Sequence, residues 1–208
     1  MVRSRKLTRR GKALIYLFCT TLLIISAYVS SSLAANINSF FRGVLREETH
    51  ARIEDPIVEE LLKPLSLVIL AAMFSLANRK RSVRINWLRS MKVDYAIGYA
   101  SGLTFGVLES GIAYGTFSGL RAITPFLHAL GTGIVGIGIY YMLARGKRGI
   151  VELIPLYFSA VLLHSAWNSI GSQAVLAVFG LSTMIIGLIV LPQLLMKLKR
   201  KNRNYCQD

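Results

Sequence analysis

Apolar residues run through this chain in six long stretches, near 13–35, 57–77, 94–117, 123–144, 150–171 and 174–196, with polar or basic breaks between them. Each is long enough, or nearly so, to cross a hydrocarbon layer about 30 Å thick as a helix. Lipid cannot satisfy unpaired backbone groups, so helix is the form each stretch must take. The pattern predicts an all-α fold: a polytopic membrane helix bundle of about six transmembrane helices, with residues 1–208 forming a single integral membrane domain. Local punctuation agrees. Pro56 precedes the second stretch, Asp94 opens the third, and Glu152 lies in the first turn of the fifth. Acidic side chains suit the positive end of a helix dipole.

Composition sharpens the reading. The chain is 53% hydrophobic, with mean hydropathy +0.50. Its net charge is +15, yet lysine and arginine are confined to short blocks. That distribution points to membrane topology and to anionic lipid headgroups at the basic loops, with no nucleic-acid partner. Twenty of the 25 basic residues fall in the N-terminal tail, the loops after the second and fourth spans, and the C-terminal tail. The alternate loops hold only Arg42, Arg46, Arg52 and Arg121. The positive-inside rule then places both termini in the cytoplasm of a multi-pass cell-membrane protein. Trp87, in a basic inner loop, reads as interface anchoring. Cys19 and Cys206 lie far apart in the sequence, which argues against a structural disulfide or a cysteine metal site.

The first span, 13–35, follows a basic stretch and ends near Ser32-Leu33-Ala34, a pattern like a signal peptide with its cleavage site. Its apolar core is longer than a removed signal usually carries, so it reads as an anchor. Residues 36–56 are too polar to span. They mix Phe40, Phe41, Val44 and Leu45 with Arg42, Arg46, Glu47 and Glu48, and predict an amphipathic helix on the outer surface that gates substrate access. His50 reads as a solvated loop residue. Residues 57–171 hold the remaining polar groups of interest, and 174–208 form the last helix and a basic cytoplasmic tail.

Charge within a bilayer is costly and marks function. Glu59 and Glu60, followed by Lys63, fall in the first outer turn of the second span. At 1.5 Å per residue, Glu109 lies about 12 Å below the outer end of its helix, His128 about 8 Å, and His164 about 10 Å, with Asn168 a turn shallower. Four helices thus deliver polar groups to the same outer third of the bilayer. Gly98, Gly102 and Gly106 recur every four residues, as small residues do where membrane helices approach closely, and Glu109 shares that face. His164 and Asn168 stack on one face of the fifth span.

Lys63 can pair with either glutamate, leaving the other to act as a base. A desolvated carboxylate near a histidine can deprotonate a water that attacks a peptide carbonyl, while a second histidine and Asn168 stabilise the oxyanion. Buried carboxylates and histidines also relay protons, so a proton-coupled transporter is an alternative. No internal repeat supports it, and no proline is read as breaking the middle of spans two to four. A non-catalytic scaffold built on the glycine faces is a third reading.

Glu59-Glu60-x-x-Lys63, Phe105-Gly106-x-x-Glu109, Arg121-x-x-x-Pro125-x-x-His128 and His164-x-x-Trp167-Asn168 resemble, in order, the motifs of the PrsW intramembrane proteases, which belong with the CAAX-protease and bacteriocin-processing group. The resemblance covers roughly 55–170. It implies a protease that cuts a membrane protein or membrane-anchored peptide near the outer face. Glu59 and Glu60 would activate water with a histidine, and Asn168 would sit beside the oxyanion. Some relatives carry a histidine where Glu109 stands. The family is also described as metal-dependent, and Glu109, His128 and His164 would supply a His₂Glu set for Zn²⁺ with an open water position. The chain lacks the His-Glu-x-x-His spacing, and the metal-free glutamate mechanism, with no cofactor, is the preferred reading.

Overall fold

A computed structural model describes residues 9–79, 90–113, 115 and 119–196. Every regular element among them is helical. The order is α1 (Arg9–Arg42), a single short turn α2 (Glu47–Thr49) running into a π-turn His50–Glu54, α3 (Asp55–Leu62), α4 (Leu65–Arg79), α5 (Met91–Leu108), α6 (Thr124–Arg145), α7 (Lys147–Ser169) and α8 (Gln173–Ile185). Further π-turns extend α5 over Glu109–Ala113 and α8 over Ile186–Val190. The expected inner loop with Trp87 and most of both basic tails lie outside the described residues.

Helix α6 is the hub. It is buried along most of its length and lies between α5 and α7. The outer helices show large apolar side chains instead, among them Tyr28 on α1, Leu162 on α7 and Val178 on α8. These are faces suited to lipid. The glycines of α5 explain its fit to α6: a Cβ on Gly98 would fall on the carbonyl of Thr132, and one on Gly102 on that of His128. Without side chains there, the two backbones come together. Leu67, Val135, Ile139 and Ala160 then close an apolar core between α4, α6 and α7. Gly146, with φ +61°, makes the sharp turn that returns α7 along α6.

Among the described residues, four segments are long and apolar enough to cross a membrane: Leu17–Arg42, Thr124–Arg145, Lys147–Ser169 and Gln173–Met196. The expected second and third spans are built differently. Helix α5 is 18 residues long and carries Lys92 and Asp94 at its start, with Glu109 directly after it. The second span is divided at Lys63–Pro64 into α3 and α4, a break the sequence reading did not place. Pro64 has no N–H to continue the ladder. Carbonyls at the break find other donors: the Ser30 hydroxyl donates to Leu62 O at 2.8 Å, and the Ser101 hydroxyl to Lys63 O at 2.6 Å.

The segment 36–56 also differs from expectation. Its first third is the end of α1, which runs unbroken through Ser32-Leu33-Ala34 as far as Arg42. The remainder folds back as Glu47–Glu54. His50 is not solvated; it is only 2% exposed. Its ring is drawn inward by Glu54 and Asp55, whose carboxylates lie 2.6 and 3.3 Å from its two nitrogens.

Candidate active site

The last turn of α3 carries Glu59, Glu60 and, one residue beyond it, Lys63. Pro56 lies in its first turn, where the π-turn His50–Glu54 passes into regular α-helix. A hydrogen bond from the Tyr157 hydroxyl to Ile57 O, 2.8 Å, ties α3 to α7. Glu60, Lys63, His128 and His164 are all less than 5% exposed, and Glu59 is 7% exposed. Four polar side chains that deep must answer one another.

Lys63 answers most of them. Its ammonium lies 2.7 Å from Glu60 Oε1, 3.1 Å from Glu59 Oε2 and 2.7 Å from His128 Nδ1. It also stands 4.8 Å from the centre of the Phe105 ring, within cation–π range. An ammonium has three protons and no lone pair, and a fourth neighbour, His164 Nδ1, stands 3.4 Å from it.

This fixes the histidines. His128 Nδ1 accepts from Lys63, so its proton is on Nε2, which lies 2.8 Å from Glu109 Oε2. Glu109, at the end of α5, therefore orients His128 and does not face the middle of the cluster. His164 Nδ1 lies 3.2 Å from Glu60 Oε1 and 3.4 Å from Lys63 Nζ; the shorter contact makes it a donor to Glu60. Its Nε2 is then the lone-pair nitrogen, 3.9 Å from Glu59 Oε2. The two imidazoles pack edge to face, 4.9 Å between centres. Gly106 and Gly102 leave room for the His128 ring and backbone beside α5.

Glu59 and Glu60 are thereby distinguished. Glu60 Oε1 is committed to Lys63 and His164. Its Oε2 has no hydrogen-bond partner and looks toward Gly131, where a Cβ would come within 3.1 Å. Glu59 has only the longer contact to Lys63 and faces the basic nitrogen of His164. Sequence reasoning treated Lys63 as a side partner of the pair. The structure makes it the common contact of α3 and α6, a reach that i,i+3 and i,i+4 spacing alone does not reveal.

Asn168 is not in this cluster. Its side chain is exposed, and its amide donates to Ala51 O at 2.8 Å, fastening the π-turn His50–Glu54 to α7. Beside that contact, Asp55 feels both groups of residues. Burial raises its carboxyl above the usual range, His50 opposes this, and the charges of Glu54 and Glu109 add to it.

The donor types suit a divalent ion. Glu59, His128 and His164 each offer a ligand atom within 4.8 Å of the others, a His₂Glu set of the zinc kind. Glu59 thus takes the place expected for Glu109, which instead supports His128 from behind, as carboxylates commonly do for metal-bound histidines. The cation that the structure itself puts among these donors is Lys63 Nζ.

Compared with known families, the chain matches the model described as PrsW family intramembrane metalloprotease over residues 12–193. No curated protein and no solved structure matches. The match extends well beyond 55–170, the reach of the sequence motifs, and takes in most of α1 and all of α8.

Proposed function

This chain belongs to the PrsW family of intramembrane proteases, and we propose that it is an endopeptidase in which Glu59 and His164 activate the attacking water. The supporting observation is the asymmetry of the glutamate pair. Glu60 is spent on Lys63 and on His164 Nδ1–H, while Glu59 Oε2 and the lone pair of His164 Nε2 face each other at 3.9 Å. A water set beside that gap reaches both. One of the two takes its proton as the oxygen attacks the scissile carbonyl, and returns it to the amide nitrogen when the C–N bond breaks. No covalent intermediate is needed. Lys63 supplies the counter-charge beside the two carboxylates, and Glu109 holds His128 in the tautomer that accepts from Lys63.

The substrate is a membrane protein or a membrane-anchored peptide, as the family implies. The charge pattern supports a reaction near the outer face, six crossings and both termini in the cytoplasm, where the basic blocks would meet anionic lipids. Family membership supports the enzyme reading over the transporter and scaffold readings. Asn168 would serve the oxyanion only after releasing Ala51 O.

The family's description and the convergence of Glu59, His128 and His164 favour a metal-dependent enzyme as a second reading. A divalent ion held by those three would supply Lewis-acid polarisation of the carbonyl and a more acidic water. Lys63 would then turn away from His128, keeping Glu60.

The test is cleavage of a single-span reporter by protein in proteoliposomes, with elemental analysis of the same preparation. Metal-free protein that cleaves, and loses cleavage on Glu59→Gln and His164→Ala, supports the glutamate mechanism. Activity that follows metal content through stripping and reloading overturns it in favour of the second reading.

A further inference from the structure

Outside the cluster just described, a second group of ligand-type side chains gathers where α1 ends and α3 begins. His50, Glu54 and Asp55 each offer a ligand atom within 4.8 Å of the others. His50 is 2% exposed. Its Nδ1 is 2.6 Å from Glu54 Oε2, and its Nε2 is 3.3 Å from Asp55 Oδ1. A neutral imidazole donates from one nitrogen alone. The short contact makes Nδ1 the donor, toward Glu54. The lone pair of Nε2 then points at a carboxylate oxygen, and two acceptors face each other in a buried place.

A cation between them resolves the conflict. Zinc bonds nitrogen and oxygen at about 2.0–2.1 Å, so neighbouring ligand atoms of its tetrahedron are about 3.3–3.4 Å apart. His50 Nε2 and Asp55 Oδ1 already have that separation. Glu54, on Nδ1–H, stands where a carboxylate orients a metal-bound histidine. Glu54 Oε1 and Asp55 Oδ1 are both buried and make no hydrogen bond. Arg42 Nε donates to His50 Nε2 from 3.5 Å, at the limit of such a contact, and is the competing cation. An imidazole with carboxylates selects zinc or a similar transition ion over calcium or magnesium.

We propose that His50, Glu54 and Asp55 form a second, structural binding site for a divalent transition-metal ion such as zinc, separate from the catalytic cluster. The ion replaces Arg42 at His50 Nε2 and binds Asp55, with water completing its coordination. It staples the segment 47–54 to the start of α3, four residues before Glu59. The simpler occupant is a proton on Nε2, giving a charged histidine clasped by two carboxylates.

The test uses full-length, metal-stripped protein in detergent, titrated with zinc against a chromophoric chelator. A Glu59→Gln, His164→Ala double variant removes the central donors, so the count is independent of whether catalysis needs metal. That variant is expected to keep one tight zinc site. Asp55→Asn in the same background should abolish it, Glu54→Gln should weaken it by about 10–100-fold, and Arg42→Gln should tighten it. His50→Gln should also abolish it; should that variant fail to fold, nitrogen NMR of the folded double variant reads His50 Nε2 directly, which zinc must shift. No tight site in the double variant, or one that Asp55→Asn leaves unchanged, overturns the proposal. A His50 ring that carries protons on both nitrogens in the presence of excess zinc does so too, and assigns the cluster to the clasp.

Discussion

Lys63 Nζ lies 2.7 Å from His128 Nδ1, although 65 residues separate them in the chain. The contact joins α3 to α6 and sets which nitrogen of His128 carries the proton. It also makes the lysine an integral part of the buried polar cluster. Lys63→Met should leave two glutamates buried without their counter-charge. Breaking a buried pair in this way costs about 3–5 kcal/mol, so thermal unfolding in detergent should fall markedly and cleavage should disappear. Unchanged stability would mean that the pair is not held as described.

Glu59 and Glu60 should separate when each is changed to glutamine. Glu59→Gln should reduce cleavage by about 10²–10⁴-fold, the usual weight of a general base, with little loss of stability. Glu60→Gln should lose cleavage and stability together, because Glu60 is the partner of Lys63 at 2.7 Å and of His164 at 3.2 Å. Paired melting and cleavage assays check this. Equal melting temperatures for the two variants would remove the distinction between them.

Gly102 tests how His128 is placed. Any side chain there meets the His128 carbonyl. Gly102→Ala should cost about 1–3 kcal/mol through overpacking and lower cleavage by pushing α6 away. Gly171, where an added Cβ meets nothing within 4 Å, is the control. Gly171→Ala should leave both readouts near wild type.

Asn168→Ala should act through the segment that it holds. Its amide bonds Ala51 O in an exposed place, worth about 1 kcal/mol. Cleavage should drop less than about tenfold, well short of the 10²–10³ that removal of an oxyanion donor costs. Hydrogen exchange at residues 47–54 should quicken. A loss of 10² or more without faster exchange would return Asn168 to the oxyanion.

Much of the cluster was legible in the sequence because depth along a membrane helix is a count of residues. Glu60, His128 and His164 meet, as similar counts along neighbouring helices require, and the glycines of α5 marked the face that packs on α6. Glu109 was read as facing into the bundle, and it does, though onto the outer edge of the His128 ring. What the count could not give was anything that depends on a chain leaving its helix. Asn168 sits one turn from His164, and its partner, Ala51, comes from an irregular segment. His50 looked solvated because its neighbours are charged, yet the spacing His50-x-x-x-Glu54-Asp55 brings those charges onto its ring. The break at Lys63–Pro64 was present in the sequence as a proline and was outweighed by the apolar residues around it. Helix α4 is only 15 residues long because of that break, and α5 is 18 residues long with Lys92 and Asp94 at its start.

The two serines that cap the break at Pro64 come from α1 and α5. The turn carrying Lys63 is therefore suspended from two neighbours like a bridge deck, and one of its hangers is Ser30, inside the N-terminal helix. That helix is a structural support of the buried cluster and not an interchangeable tether. A chimaera with an unrelated anchor of equal length and hydropathy would still reach the membrane, and would arrive there with the Lys63 turn unsupported on one side.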